Sequence, residues 1–205
     1  MKSFALGVGS VLLFSLGATA AENGTRMETF LGYTFTRVPS VQKISPFSMN
    51  GGSGQFAYNF NHWLGGVMDL GAVHNGSIHN TSLDSTLANF LAGPRLSIRH
   101  WSRVTPYVQT LFGGVYATTS TAAPELASVT DIPPGANLRA VTQQTAFAMT
   151  AGGGLDIKIN KHVSFRPVQL EYFLTQLHHY GDAADDNQNS LRYSAGFNFT
   201  FGHAE

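Results

Sequence analysis

Two short runs place an imidazole beside a hydroxyl. His100-Trp101-Ser102 and His162-Val163-Ser164 each set a histidine two residues from a serine. Such a pair can act as base and nucleophile, but no neighbouring carboxylate stands ready to orient either ring. A second group comprises His74, His79, His178 and His179 with Asp182, Asp185 and Asp186. Imidazoles and carboxylates ligate zinc and other divalent ions, yet these lie in polar stretches where nothing fixes a coordination geometry. A third group is ionic: Glu28, Asp69, Asp156 and Glu171 against Arg95, Arg99, Lys158, Arg166 and Arg192. Cysteine is absent, so thiolate chemistry and disulfides are excluded. The formal net charge of zero argues against a nucleic-acid partner. These residues support no catalytic site, no metal site and no cofactor; the ionic group is the one that asks for a framework.

Met1-Lys2, the apolar run from Phe4 to Gly17 and Ala18-Thr19-Ala20 form a basic start, a short apolar core and an Ala-x-Ala cleavage site. Residues 1–20 read as a signal peptide and Ala21 as the mature N-terminus. An uncleaved anchor is the alternative, but the run falls short of the ~20 residues that a spanning helix needs. Residues 21–205 are of single-domain size.

Period-2 alternation recurs along that domain. Leu191, Tyr193, Ala195, Phe197, Phe199 and Phe201 alternate with Arg192, Ser194, Gly196, Asn198 and Thr200, a strand with one apolar and one wet face. Seven further segments behave similarly: Glu28 to Val38, Gly54 to Phe60, Trp63 to Val73, Leu87 to Arg99, Thr105 to Ala117, Phe147 to Ile159 and Val163 to Gln176. In the fifth, Val108, Phe112 and Tyr116 are expected on the apolar side, with Tyr107 and Leu111 on the other. Tight turns at Asn61-His62, Trp101-Ser102 and Asn160-Lys161 alternate with longer stretches: Pro39 to Gly52, His74 to Ser85, Thr118 to Gln143 and His178 to Asn189. Eight strands with this spacing predict an all-β, eight-stranded antiparallel up-and-down transmembrane β-barrel.

Cost assigns the faces. An Arg or Lys facing lipid near the midplane costs roughly 2–4 kcal/mol, so the aromatic set faces out and the ionic set faces in. In the seventh segment Arg166 shares parity with Val168, Leu170 and Tyr172, whereas Glu171 has the opposite parity. Pro167 cannot donate to the ladder, so a bulge there is expected to turn both ions inward. The interior should then be plugged by a neutralised network of Glu28, Asp69, Arg95, Asp156, Lys158, Arg166, Glu171 and Arg192, since eight strands leave room only for side chains. Interior Gly32, Gly71, Gly152, Gly154 and Gly196 leave space for long Arg chains. Phe60, Trp63, Trp101 and Tyr107 lie beside the tight turns and read as an interfacial aromatic girdle. With both termini at the tight-turn rim, that rim is expected to face the periplasm and the long loops the exterior. The longest loop carries Pro124, Pro133 and Pro134, with Val129 and Ile132 as a contact surface or a fold-back onto the rim.

Ser194-x-Gly196-x-x-Phe199-x-Phe201 resembles the C-terminal signal read by the outer-membrane barrel assembly machinery; Gly-His-Ala-Glu follows Phe201, where that signal usually ends. From about Arg26 to Gly202 the chain is similar to small OmpA/OmpX-like outer-membrane β-barrel domains, notably at Gly152-Gly-Gly-Leu-Asp-Ile, Arg166-Pro-Val-Gln-Leu-Glu-Tyr and Arg192-Tyr-Ser-Ala-Gly. The resemblance implies a monomer among outer-membrane lipid and lipopolysaccharide, with a structural or surface-interaction role and possible extracellular ligands at its loops. His100-Trp101-Ser102 also resembles the His-x-Ser pair of outer-membrane lipid A deacylases, but the expected topology puts it at the end away from outer-leaflet lipid. A lipid A-modifying enzyme, a small passive pore and a soluble lipocalin-type barrel are the alternatives. A lipocalin lines its cavity with apolar groups, and here the wider, more aromatic face opposes the charges.

Overall fold

The computed structural model describes residues 27–39, 46–76, 84–122, 139–176 and 187–201. Eight antiparallel strands pair in sequence order, and the last pairs with the first to close a barrel. They are β1 (Met27–Val38), β2 (Phe47–Asn59), β3 (Leu64–Asn75), β4 (Asp84–Ser97), β5 (Val104–Ala122), β6 (Arg139–Lys158), β7 (Val163–Gln176) and β8 (Asn187–Phe201). No helix among the described residues is long and apolar enough to cross a membrane.

Local chemistry fixes the tight turns. The Asn61 side chain accepts hydrogen bonds from the backbone N–H groups of Trp63 and Leu64 at 3.0 and 2.7 Å. Asn160 does the same for His162 and Val163, both at 2.8 Å. These are Asx turns, in which a short amide side chain replaces a backbone acceptor. They lie on one rim with the β4–β5 connection and the described ends Met27 and Phe201; the remaining strand ends lie on the other.

On the loop side the strands run further than the hydropathy pattern indicates. β2 already begins at Phe47, β5 continues to Ala122 and β6 starts at Arg139, so parts of the expected loops Pro39–Gly52 and Thr118–Gln143 are paired strand. Thr119 opposes Thr142 and Ser120 opposes Val141 across β5 and β6. β-branched residues such as Thr119, Thr142 and Val141 support a ladder without an apolar face. The signal segment 1–20 lies outside the described residues, as do His79, His178, His179, Asp182, Asp185, Asp186 and the 124–134 proline stretch.

The faces follow parity. Leu31, Leu70, Phe90, Val108, Phe112, Phe147 and Phe197 are exposed on the outer wall, whereas Asp69, Arg95, Glu171 and Arg192 are buried. β7 changes parity midway. Its register slips between Phe165 and Val168 against β6 and between Arg166 and Gln169 against β8, one extra residue relative to each neighbour. The bulge spans Pro167 and buries both Arg166 and Glu171.

Deleting Val168 removes the extra residue, and simple alternation should then keep Arg166, Gln169 and Glu171 all inward. Urea unfolding in phospholipid vesicles should show a loss well below the roughly 2–4 kcal/mol expected if either charge faced hydrocarbon. Pro167→Ala, which leaves the residue count intact, should change stability by less than about 1 kcal/mol.

Candidate functional site

Most of the ionic residues converge inside the barrel. Arg192 on β8 bridges two carboxylates: its Nε donates to Glu171 Oε2 at 2.7 Å, and its Nη2 donates to Asp69 Oδ2 at 2.9 Å. Arg166, placed by the bulge, donates through Nε and Nη2 to the two oxygens of Asp156 at 2.6 and 3.0 Å. That fork matches the planar geometry of a carboxylate. Glu28 near the turn rim accepts from Arg99 Nη2 at 2.7 Å, from Asn59 at 2.9 Å and from Asn198 at 3.1 Å, with Arg95 Nη1 3.9 Å away.

Neutral amides join these clusters. Gln55 Oε1 accepts from Arg95 at 2.6 Å and Arg166 at 2.9 Å, while its Nε2 donates to Asp69 at 2.8 Å. Gln109 accepts from Arg95 at 2.9 Å and donates to Glu171 at 2.8 Å. Gln169 accepts from Tyr107 at 2.7 Å and Arg166 at 2.8 Å. The result is one connected network in which four carboxylates meet four guanidiniums.

Aromatic rings floor it. The Arg95 and Arg166 guanidiniums stack on Tyr107 at 4.4 and 4.6 Å, and Arg166 also lies 4.3 Å from the Phe30 ring centre. Cation–π attraction is strongest where water is excluded. Two interior glycines make room for these rings: a Cβ at Gly154 would strike the Tyr107 ring, and one at Gly32 would strike the Phe30 ring.

Tyr107 therefore corrects the girdle expectation. It is 4 % exposed and lies inside, sharing a face with Gln109 and Leu111. Proximity to a turn suits a girdle, but parity decides, and the lumen supplies a partner for its hydroxyl. Phe60, Trp63 and Trp101 do project outward beside the turns. Lys158 also departs from expectation. It is exposed at the turn rim and lines a polar vestibule of about 200 Å³ with Glu28, Arg99, Asp156 and Asn198, outside the buried network.

Beyond the network, toward the loops, the interior turns apolar. Leu91, Leu111, Val115, Ala148 and Phe173 form one cluster; Val38, Met49 and Val73 form another near the loop-side strand ends. From the vestibule the lumen passes from polar to ionic, and its loop-side half mixes these apolar residues with buried Thr36, Ser85, Thr175 and Ser190. Gln55, Gln109, Gln169, Phe30 and this apolar cap were missed in the sequence; their inward parity was the available signal.

The other candidates sit apart. His100 is exposed with its ring edge-on to Trp101 at 6.1 Å, and His162 occupies the β6–β7 turn, so both His-x-Ser pairs lie at the turn rim. His74, on the loop-side end of β3, contacts Thr86 at 2.9 Å and Asp84 at 3.4 Å. Among the described residues no group of three or more His, Cys, Asp or Glu is placed to hold a metal ion. Of the C-terminal signal residues, Ser194 is buried against Thr34 at 2.9 Å, Gly196 opposes Gly32 across the closing seam, and Phe201 faces out.

The outer membrane protein beta-barrel domain model matches residues 6–200. The chain belongs to that family. The family places it in the outer membrane, and the outward aromatics and inward ions fit that setting. The crystal structure of the Yersinia pestis attachment invasion locus protein Ail is similar, with TM-score 0.58 and 15% identity over 88% of this chain and 99% of that one. Ail has also been crystallised with the heparin analogue sucrose octasulfate. Neisserial surface protein A aligns with TM-score 0.61 and 14% identity over 85% of this chain and 97% of that one. At such identities the likeness concerns the fold. No curated protein sequence matches the chain.

Arg192→Leu should strand Asp69 and Glu171 as buried unpaired charges and cost roughly 3–5 kcal/mol in vesicle unfolding assays. Gly196→Val should also destabilise, by roughly 1–3 kcal/mol, because its Cβ would strike the Leu31 carbonyl and Gly32 Cα. Gly52→Ala, whose Cβ would meet its nearest atom at 3.5 Å, is the tolerated control.

Proposed function

We propose that the protein is a plugged, non-catalytic outer-membrane barrel whose loop rim serves structural or surface contact. The supporting observation is the connected ion-pair network backed by an apolar cap. A conduction path would have to break several charge-assisted bonds and then pass between closely packed apolar side chains. In this reading residues 1–20 are a cleaved signal peptide, the turn rim faces the periplasm and the loops face outward. The barrel assembly machinery reads Ser194, Gly196, Phe199 and Phe201, and the protein is a monomer surrounded by outer-membrane lipid and lipopolysaccharide. That Ail, a similar barrel, has been crystallised with a heparin analogue supports a search for extracellular ligands of this barrel. The deacylase reading is disfavoured because both His-x-Ser pairs occupy the rim opposite the loops. A lumen of side chains likewise disfavours the passive pore.

Planar-bilayer recordings on refolded protein should show no stable, long-lived conductance, and incubation with lipid A should release no acyl chains. A steady large conductance would contradict the plug. Acyl release lost on His100→Ala would establish the enzyme instead.

A further inference from the structure

Arg37 has the parity of Leu31 and Tyr33 and so projects from the outer wall, where it is exposed. A guanidinium facing lipid is costly at the midplane and nearly free at the interface. Arg37 lies ten residues beyond Met27, which pairs with Phe201 at the lower edge of the aromatic wall. At ~3.4 Å per residue and ~40° tilt, that distance is roughly 26 Å along the barrel axis. An apolar band is ~25 Å tall, so Arg37 reaches its upper edge, at headgroup depth. Its register partners agree. On β8 it opposes Leu191, an outward apolar residue, and on β2 it opposes Ser48.

Beside Arg37 opens a groove of about 420 Å³, lined by Pro39, Pro46, Tyr172, Asn189 and Leu191. No carboxylate lines it among the described residues. Tyr172 and Leu191 belong to the wall that meets acyl chains, so the groove continues the lipid-facing surface upward. Arg37 Nη1 donates to Ser48 Oγ at 2.9 Å, which orients the guanidinium and leaves its other N–H donors for an anion.

We propose that this groove binds a phosphorylated lipid of the outer leaflet, with its phosphate on Arg37 and an acyl chain against Tyr172 and Leu191. A planar fork at interface depth suits a phosphate, and the apolar floor favours a lipid over a soluble anion. The site rests on the loops-outward orientation proposed above.

The full chain, folded into phosphatidylcholine vesicles containing a minor fraction of lipid A, can be extracted in mild detergent and its retained lipid counted by native mass spectrometry. Wild type should retain lipid A. Arg37→Gln should retain roughly fivefold less, Arg37→Lys an intermediate amount, and Arg103→Gln at the opposite rim as much as wild type. Wild type offered phosphate-free lipid A should fall to the Arg37→Gln level, a comparison that needs no variant. Retention unchanged by Arg37→Gln, equal for phosphate-free lipid, or lost equally with Arg103→Gln would overturn the site and leave the barrel reading standing. A wild-type chain that enters no vesicle, shown by absent heat-modifiable migration, would overturn the membrane reading and the site together.

Discussion

Hydrocarbon offers no partner to a backbone N–H or C=O, so every strand needs two neighbours and the sheet must close. That requirement governs the rest of this molecule. Closure of β8 on β1 with eight strands sets an interior only as wide as its own side chains. The outer wall must be apolar, and the alternation of a strand then hands every second residue to the lumen. Polar and ionic residues collect there because the wall has no place for them. Once inside, away from bulk water, each must be matched.

The matching is collective. Arg192 between Asp69 and Glu171, and Arg166 on Asp156, are close charge pairs, yet either pair alone would leave lone pairs and N–H groups unused. Gln55, Gln109 and Gln169 take up several of those positions and link the pairs. The Phe30 and Tyr107 rings press on guanidinium faces that no hydrogen bond can reach. A network with this many shared donors and acceptors favours one side-chain arrangement, because shifting one member leaves several others unpaired, although Arg99 Nε, Gln169 Nε2 and Asn198 Oδ1 are buried without a hydrogen-bond partner among the described residues. The β7 bulge is part of that design, since it gives Arg166 and Glu171 a common side.

Much of this was legible in the residues. Wherever a strand lies between lipid and lumen, its two faces differ sharply, and β1, β3, β7 and β8 could be placed within a few residues. Even the bulge announced itself, through the opposed parity of Arg166 and Glu171 around Pro167. The loop-side extensions of β5 and β6 are not legible because those segments are mostly polar on both faces and the period vanishes, and that of β2 is not legible because its apolar Phe47 and Met49 fall on the lumen side, opposite to Phe56 and Tyr58. Tyr107 misled because an aromatic beside a turn fits a girdle as well as a lumen. The glutamines carry no charge to be placed by cost; parity puts Gln55 and Gln169 on the inner face, but only the structure joins them to the ion pairs.

The central claim is that aromatic side chains meet acyl chains while the opposite face of each strand is sealed from them. The chain has no native cysteine, so single spin labels can be placed at Phe197 on the wall and at Ser164, which lines the vestibule. In lipid vesicles, accessibility to dissolved oxygen should be high at position 197 and low at position 164, and accessibility to a water-soluble nickel chelate should show the reverse. High oxygen accessibility at 164 with a shielded 197 would mean that the barrel is inside out and would contradict the account.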